Sequence, residues 1–435
     1  MRFSVRTLVV TLLLSVPCAG STETSGPIRV LVLLGGNYHP YEAGSRLLVE
    51  AAARSYPIEA TFVRLDHPPF GQPENESATI TSNPAVLEDP QLGRKYDVLF
   101  AYHQDTWMEL TPAQLAGYFG FVRSGGGLVA IHSSSQPLMK NPEFVRMLGA
   151  QFARHEPYRL MTVERAAGQG DSPLLDGVAE RFQTQDEFYY VEEAENVEKQ
   201  ILLTAKAEDG AARPIAWTKA YDKGRVFCTV LGHDLRSHQN TSFQWLVRNA
   251  LVWAAGRTDD ARFVPLFNSK DLADWTVMEQ SGFRIEDGAM RSYGGMGLLW
   301  YSKKKFRDFA LLIEYKVNQQ AANSGVFLRI PDPPKSFWDA VNHGYEVQIC
   351  DTGAPKRNTG AVFDFQAPTH VPSRPPGEWN LLEISVVNQR YTVVLNGEKV
   401  NDFIGERALE GYIGVQNHDD ESIVLIRRIE IKELP

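Results

Sequence analysis

Cysteine is scarce in this chain: 435 residues hold three, Cys18, Cys228 and Cys350. An N-terminal leader would take Cys18 away, and the two thiols left fall in segments of different pattern. That argues against a disulfide framework, even in an oxidising compartment. Positive charge is also in deficit. The formal net charge of −9 becomes −11 once Arg2 and Arg6 are removed, which argues against nucleic acid or anionic membrane as a partner. Beyond the first twenty residues no apolar run is long enough to span a bilayer. Internal repeats and low-complexity tracts are missing as well.

What is present begins with an export signal. Arg2 and Arg6 precede an apolar run from Thr7 to Val16, and small residues follow at Ala19-Gly20-Ser21. A basic start, a short apolar stretch and a small-residue exit read as a cleaved signal peptide over residues 1–20. Ser15 and Pro17 stand before Cys18 where a lipoprotein would carry Leu and a small residue, so a lipid anchor there is disfavoured. The expectation is a periplasmic or secreted protein.

Two patterns then share the chain. From Ile28 to about Gly256, continuous apolar strands alternate with helical segments: Ile28–Leu34, Tyr96–Tyr102, Leu128–Ile131 and Gly224–Leu231 are strands. Thr111-Pro112 opens a helix, and Phe243 to Ala255 is an amphipathic one. Such strands, each followed by a helix, imply a mostly parallel sheet covered on both faces. From Phe263 onward, short alternating strands are punctuated by Gly, Pro and Asn. Phe309–Val317, Trp379–Val387, Tyr391–Leu395 and Ser422–Ile431 are examples, and Asn396-Gly397 marks a hairpin. An α/β domain over residues 27–257 and an all-β sandwich over residues 262–435 are expected, joined by a short charged junction.

Seven of the ten histidines precede Gly256. Four of them, His39, His103, His132 and His233, stand where a strand runs out. The carboxyl ends of strands in an open parallel sheet line the ligand crevice, so these imidazoles are candidates for metal binding or acid–base work. His155 and Glu187 are further candidate members. A plain alternative is that each histidine caps its strand by bonding to backbone.

Leu31-Val32-Leu33-Leu34-Gly35-Gly36, Ser124-Gly125-Gly126-Gly127 with Leu128–Ser133, Asp186-Glu187-Phe188-Tyr189, Pro214-Ile215-Ala216-Trp217 and Gly224–Phe227 with Gly232-His233 resemble the ThuA-like (trehalose-utilisation) family. The resemblance implies a flavodoxin-like sheet related to class I glutamine amidotransferases. In those enzymes a nucleophilic cysteine occupies a strand-to-helix elbow. Here the elbow is Ile131-His132-Ser133-Ser134, with His132 in the place of the thiol, so amidotransferase chemistry is not expected.

In the second half, Asn323–Arg329 and Gly344–Asp351 alternate with period two and read as strands. Parity puts Val326, Leu328 and Ile330 on one face of the first, and Asn323, Phe327 and Arg329 on the other. Glu346 and Gln348 share a face of the second. A carboxylate, an amide and a guanidinium could thus line one side of a sheet, or form an ordinary solvated face. Gln416 and His418 share a parity, and Trp338 is the best placed aromatic for stacking on a sugar.

Phe267-Asn268 with Leu272 and Trp275, Asp308–Leu311, the Asn323–Arg329 strand, Tyr345–Ile349 with Asp351, Thr359–Val362, Gly377–Asn380, Asn396-Gly397, Gly414–His418 and Arg427 with Ile429–Leu434 resemble the 3-keto-disaccharide hydrolase family, built as a concanavalin-like jelly roll. Departures are Arg428, where Asn is expected, and Val362-Phe363-Asp364, where Tyr is more usual; both leave the substrate open. The resemblance implies an oxidised glycoside as substrate. A ketone at C3 acidifies the C2 proton, so elimination of the C1 substituent followed by hydration amounts to hydrolysis. That needs a base at C2, a group for the enolate oxygen and an acid for the leaving group. Glu346 or His418 would be the base, and Arg329 and Gln348 would steady the enolate. Asn323, Asp351, Gln416 and Trp338 would hold the sugar. A divalent metal chelated by the ketone and the C2 hydroxyl would do the same electrophilic work, though no ligand cluster in this half requires one. Two rivals stay open: a carbohydrate-binding, lectin-like protein, and chemistry located in the histidine crevice.

Overall fold

The computed structural model describes residues 26–36, 38–65, 80–104, 110–136, 141–169, 172–257, 262–278 and 282–434. The expected signal over residues 1–20, with Cys18, lies outside them.

The first half carries β1 (Ile28–Gly35), β2 (Ile58–Arg64), β3 (Val98–His103), β4 (Gly127–Ile131), β5 (Ala150–His155) and β6 (Arg159–Arg165). Then come β7 (Arg181–Asp186), β8 (Tyr189–Glu193), β9 (Gln200–Lys206), β10 (Ala212–Tyr221) and β11 (Gly224–Thr229). Its helices are α1 (Tyr41–Ala53), α2 (Leu92–Lys95), α3 (Pro112–Arg123), α4 (Pro142–Leu148), α5 (Leu235–His238) and α6 (Thr241–Ala254). Nine strands form one mixed sheet in the order β2-β1-β3-β4-β11-β10-β9-β6-β7. The first five are parallel, and the other four continue the sheet antiparallel. The expected mostly parallel sheet therefore accounts for only five of the nine. Side chains explain the split: β3 and β4 are buried at every residue, whereas β6 and β7 alternate between buried and open positions, as suits a sheet covered on one face.

Helix α3 starts where its sequence directs. The Thr111 side chain accepts from the Gln114 backbone N–H, the Gln114 side chain accepts from the Thr111 backbone N–H, and Pro112 occupies the first turn. Helix α6 is not amphipathic in place: all but one of its residues are buried, because it is covered by α1, the sheet and the second half.

The second half contains β12 (Val264–Pro265), β13 (Trp275–Met278), β14 (Gly282–Glu286), β15 (Ala289–Tyr293), β16 (Gly297–Tyr301), β17 (Phe309–Val317) and β18 (Ser324–Ile330). After α7 (Phe337–His343) come β19 (Tyr345–Ile349), β20 (Asn380–Val387), β21 (Arg390–Leu395), β22 (Glu398–Ile404), β23 (Tyr412–Asn417) and β24 (Val424–Glu433). They make an all-β sandwich. One sheet runs β14-β15-β24-β17-β20-β21-β22, with β12 beside β24, and the other runs β13-β16-β23-β18-β19. The core between them draws Leu311, Ile313, Leu382 and Ile384 from the first and Val326, Leu328, Val347 and Val415 from the second. At the β21–β22 hairpin both Asn396 (φ 51°) and Gly397 (φ 91°) are left-handed, as a type I′ turn requires.

The halves touch across the outer face of the larger sheet. Lys432 Nζ lies 3.0 Å from Asp176 Oδ2, both side chains nearly withdrawn from water, and Trp245 meets Phe263 edge-on at 4.8 Å. A groove of about 920 Å3 along this seam is lined by Arg46, Arg54, Arg390, Glu398 and Asp402. Its charges already answer one another, as Arg390 with Asp402 at 2.6 Å and His370 with Glu398 at 2.8 Å. The smaller sheet keeps its own outer face, turned away from the first half. Cys228 and Cys350 are buried and free.

Candidate functional site

Two separate constellations emerge. On the smaller sheet, β18 lies between β19 and β23. Gly325 is opposite Gln348, and Phe327 is opposite Glu346 on one side and Gly414 on the other. On β23, Gln416 pairs with Leu298 of β16. With no side chain at Gly325 or Gly414, the backbone of this outer face leaves a hollow that the side chains of Glu346 and Leu298 enter. The Glu346 carboxyl lies over the first glycine: a Cβ added at Gly325 would come within 2.0 Å of Glu346 Oε1. No left-handed φ demands glycine there, so the residue serves space rather than backbone.

The hollow is polar and buried. Glu346, Gln348 and Gln416 are 5, 2 and 5% exposed, and Oε1 of each lacks a hydrogen-bond partner among the described residues, as does Trp300 Nε1. Leaving a buried polar group unmet costs about 1–3 kcal/mol, so a face that carries several of them stands out. Burial, helped by the negative charge of Asp364, pushes the Glu346 carboxyl up to about 8. It is therefore mostly protonated at neutral pH.

A chain of hydrogen bonds joins floor to rim. Gln348 Nε2 donates to Asn323 Oδ1 at 2.7 Å, and the Asn323 N–H donates to Ser422 Oγ at 2.9 Å. The Ser422 hydroxyl donates to Asp419 Oδ2 at 3.0 Å, which faces His418 Nδ1 at 2.7 Å. Trp338, 57% exposed, stands at the side on α7, its ring against Phe337, which in turn meets Phe327.

Two of the expected members are elsewhere. Arg329 has a left-handed φ of 59°, and the β18–β23 register slips between Phe327 and Ile330. The bulge turns Arg329 off the Glu346 face and puts Ile330 beside Phe327, against strict alternation. The guanidinium is wholly buried and reaches the Asn388 carbonyl at 3.0 Å and Asp308 at 3.4 Å. Asp351 lies past the end of β19, where its carboxylate accepts from the Thr359 and Ser373 hydroxyls; it braces a loop. Asp419 and Ser422 carry no mark in the sequence: Asp419 lies beyond a strand, and Ser422, expected to open the strand Ser422–Ile431, stands just before β24, which begins at Val424.

In the first half, β1, β3, β4 and β11 run parallel and end at one edge, which carries His39, His103, His132 and His233. Three of these rings converge. His39 lies 4.7 Å from His132 and 4.8 Å from His233, and His132 lies 5.4 Å from His233, centre to centre. His103 shares the edge but not the cluster: its ring neighbours Tyr118 at 6.4 Å. Glu187 joins, with Oε2 3.1 Å from His233 Nδ1 and 3.8 Å from His132 Nε2. His155, half exposed, stands at the rim 3.6 Å from Glu187. Burial, then the charge of His233, lowers His39 to about 3, and His132 is likewise well below its ordinary value; both rings are neutral at pH 7.

Asp186, Tyr189 and His238, which strand ends do not point to, complete this edge. Asp186 accepts backbone N–H groups of Gly232, His233 and Glu187, and burial pushes it up to about 7. Tyr189 Oη lies 2.9 Å from His132 Nε2. His238 packs under Gly44, where a Cβ would meet its ring at 2.4 Å. Only the fold brings these residues together; the Asp-Glu doublet was the one visible hint.

The raised carboxyl of Glu346 has a measurable consequence. The folded state keeps a proton that the unfolded chain releases above about pH 4.5. The stability it contributes is complete below that pH and is lost as pH rises toward about 8. At about 1.4 kcal/mol per pH unit, wild type should lose on the order of 3 kcal/mol from this group between pH 4.5 and 7. Glu346→Gln should lose none of it, so denaturant melts of the two proteins should diverge with pH; parallel curves would refute the buried acid.

A family model described as trehalose utilisation matches residues 29–254, and one described as a 3-keto-alpha-glucoside-1,2-lyase-like domain matches residues 262–432. A ThuA-like protein from Parabacteroides merdae is 22% identical over 55% of this chain and 93% of its own, with a TM-score of 0.45. A candidate glycosyl hydrolase from Parabacteroides distasonis is 23% identical over 40% of this chain and 94% of its own, with a TM-score of 0.36. A Bacillus subtilis protein with a galectin-like fold is 12% identical over 41% of this chain and 97% of its own, with a TM-score of 0.33. No curated protein matches the chain.

Proposed function

The chain belongs to the trehalose-utilisation family, with a 3-keto-alpha-glucoside-1,2-lyase-like domain behind the family region, and from that premise we propose that its second half cleaves 3-keto-glycosides. The observation that carries this is the hollow over Gly325, where a buried, protonated carboxyl lies on one face with the unbonded Oε1 atoms of Gln348 and Gln416.

His418, held through Nδ1 by Asp419, takes the C2 proton. The electron pair passes into the C2–C3 bond and onto the ketone oxygen, giving an enolate. Its return forms the C1–C2 double bond, re-forms the C3 ketone and expels the C1 oxygen, which takes the proton of Glu346. Water then adds its hydroxyl to C1 and a proton returns to C2, so the sum is hydrolysis. Gln348, Gln416 and Asn323 orient hydroxyls, and Trp338 offers an aromatic face at the rim. Arg329, turned inward, is relieved of the enolate role the sequence suggested for it, and Asp351 of a sugar contact. In these roles the carboxyl's environment, poised near the working pH, fits a general acid.

The parallel strand order β2-β1-β3-β4-β11 supports reading the first half as a flavodoxin-like, amidotransferase-related nucleus with an antiparallel extension. The basic start and short apolar run support an exported protein.

Elimination breaks the C2–H bond. A 3-keto-disaccharide carrying deuterium at C2 should therefore turn over more slowly than the protio compound, and product formed in D2O should carry solvent deuterium at C2. Product with its original C2 hydrogen fully retained would exclude this route.

A further inference from the structure

The histidine edge of the first half has no part in that reaction, and its geometry is that of a ligand set. We propose that His39, His132, His233 and Glu187 bind one divalent transition-metal ion at the carboxyl end of the parallel strands.

One ring nitrogen from each histidine lies within 4.8 Å of the others. The rings meet edge to face, at 79 to 86°, so they crowd one spot without stacking on one another. Two of the three rings have one nitrogen committed to backbone. His132 Nδ1 is 2.7 Å from the Val230 carbonyl, and His39 Nδ1 is 3.2 Å from the His233 carbonyl. A carbonyl fixes the proton on Nδ1 and leaves a lone pair on Nε2, which is how metal-binding histidines are oriented by their surroundings. Glu187 supplies a carboxylate beside two of the rings.

His132 holds this position at a cost. Its φ of 45° is left-handed, at the elbow between β4 and a 3-10 turn that begins at His132. Such strain in a non-glycine residue persists where the surroundings over-determine it, and it clusters at functional sites. Imidazoles with a carboxylate suit Zn2+ and its first-row neighbours, with nitrogen bonds of about 2.0–2.1 Å around zinc. Closing to that distance brings the widest nitrogen pair in by roughly 1.5 Å. His233, a quarter exposed at the crevice mouth, is the ring with room to move. Tyr189 Oη, which donates to His132 Nε2, occupies the lone pair an ion would take and must swing away on binding. Tyr189 is then a competitor of the metal and not a ligand.

The test uses the full chain, stripped with chelator, dialysed and titrated with Zn2+ or Mn2+ alone, with bound ion counted by elemental analysis. Wild type and Glu346→Gln should each take up about one ion per chain. His132→Ala and His39→Ala should weaken binding by at least about 100-fold, beyond the about 10–100-fold expected of a lost orienting partner. Tyr189→Phe should bind as tightly as wild type or more tightly. Should the buried variants fail to fold, His233→Ala and Glu187→Gln, both nearer the surface, carry the same expectation. Less than about 0.1 ion per chain for wild type at micromolar free metal, or uptake unchanged in the folded histidine variants, would overturn the proposal. Uptake lost in Tyr189→Phe would overturn the ligand set.

Discussion

Replacing Glu346 by Gln should lower turnover of a 3-keto-glycoside by about 10²–10⁴, the usual worth of a positioned proton donor or acceptor, while ligand affinity stays within a few-fold. Gln keeps the shape of the side chain and a donor over Gly325, so the floor of the hollow survives and only the transferable proton is lost. Wild-type turnover should also fall as pH passes about 8, where Glu346 ionises, and the variant's residual rate should lack that limb. A lectin would behave otherwise: binding would weaken in step with each contact removed and there would be no turnover to lose. Near-wild-type turnover in Glu346→Gln, measured by release of monosaccharide, would take the proton carrier elsewhere on the face.

Gly325→Ala should be nearly as damaging, for a different reason. The added methyl would lie 2.0 Å from Glu346 Oε1 and 2.7 Å from Cγ and Cδ, so the whole end of the side chain must shift. A displacement of about 1 Å of a reacting group can cost about 10²-fold. Because the backbone at Gly325 is ordinary extended strand, the fold should tolerate alanine, with a melting temperature near that of wild type. Turnover down about 100-fold with folding intact is the expected pair of results. Full activity would mean that the carboxyl has another place to sit and that the hollow is not its working position.

Much of this was legible from residue order. The Asn396-Gly397 hairpin, the Thr111 cap and the two patterns meeting near Gly256 follow from local chemistry that the structure leaves unchanged. Parity put Glu346 with Gln348 on one face of their strand, and Gln416 with His418 on one face of theirs, because period two holds wherever a strand stays regular. It failed at Arg329 because a single left-handed residue resets the alternation, and an arginine gives no sign of one. The parallel strands were visible as unbroken apolar runs. The antiparallel extension was not, since its half-open strands resemble any surface strand. The histidine edge could be foreseen from strand ends, but which rings converge depends on side-chain direction, which is why His103 left the group and Tyr189 entered it.

Incubating the purified protein with a 3-keto-disaccharide and, in parallel, with its unoxidised parent tests the central claim most directly. Released monosaccharide from the keto compound, and none above background from the parent, is what ketone-driven elimination at the Glu346 face predicts. Equal cleavage of both would contradict it, because without the ketone the C2 proton has no acidity for His418 to exploit.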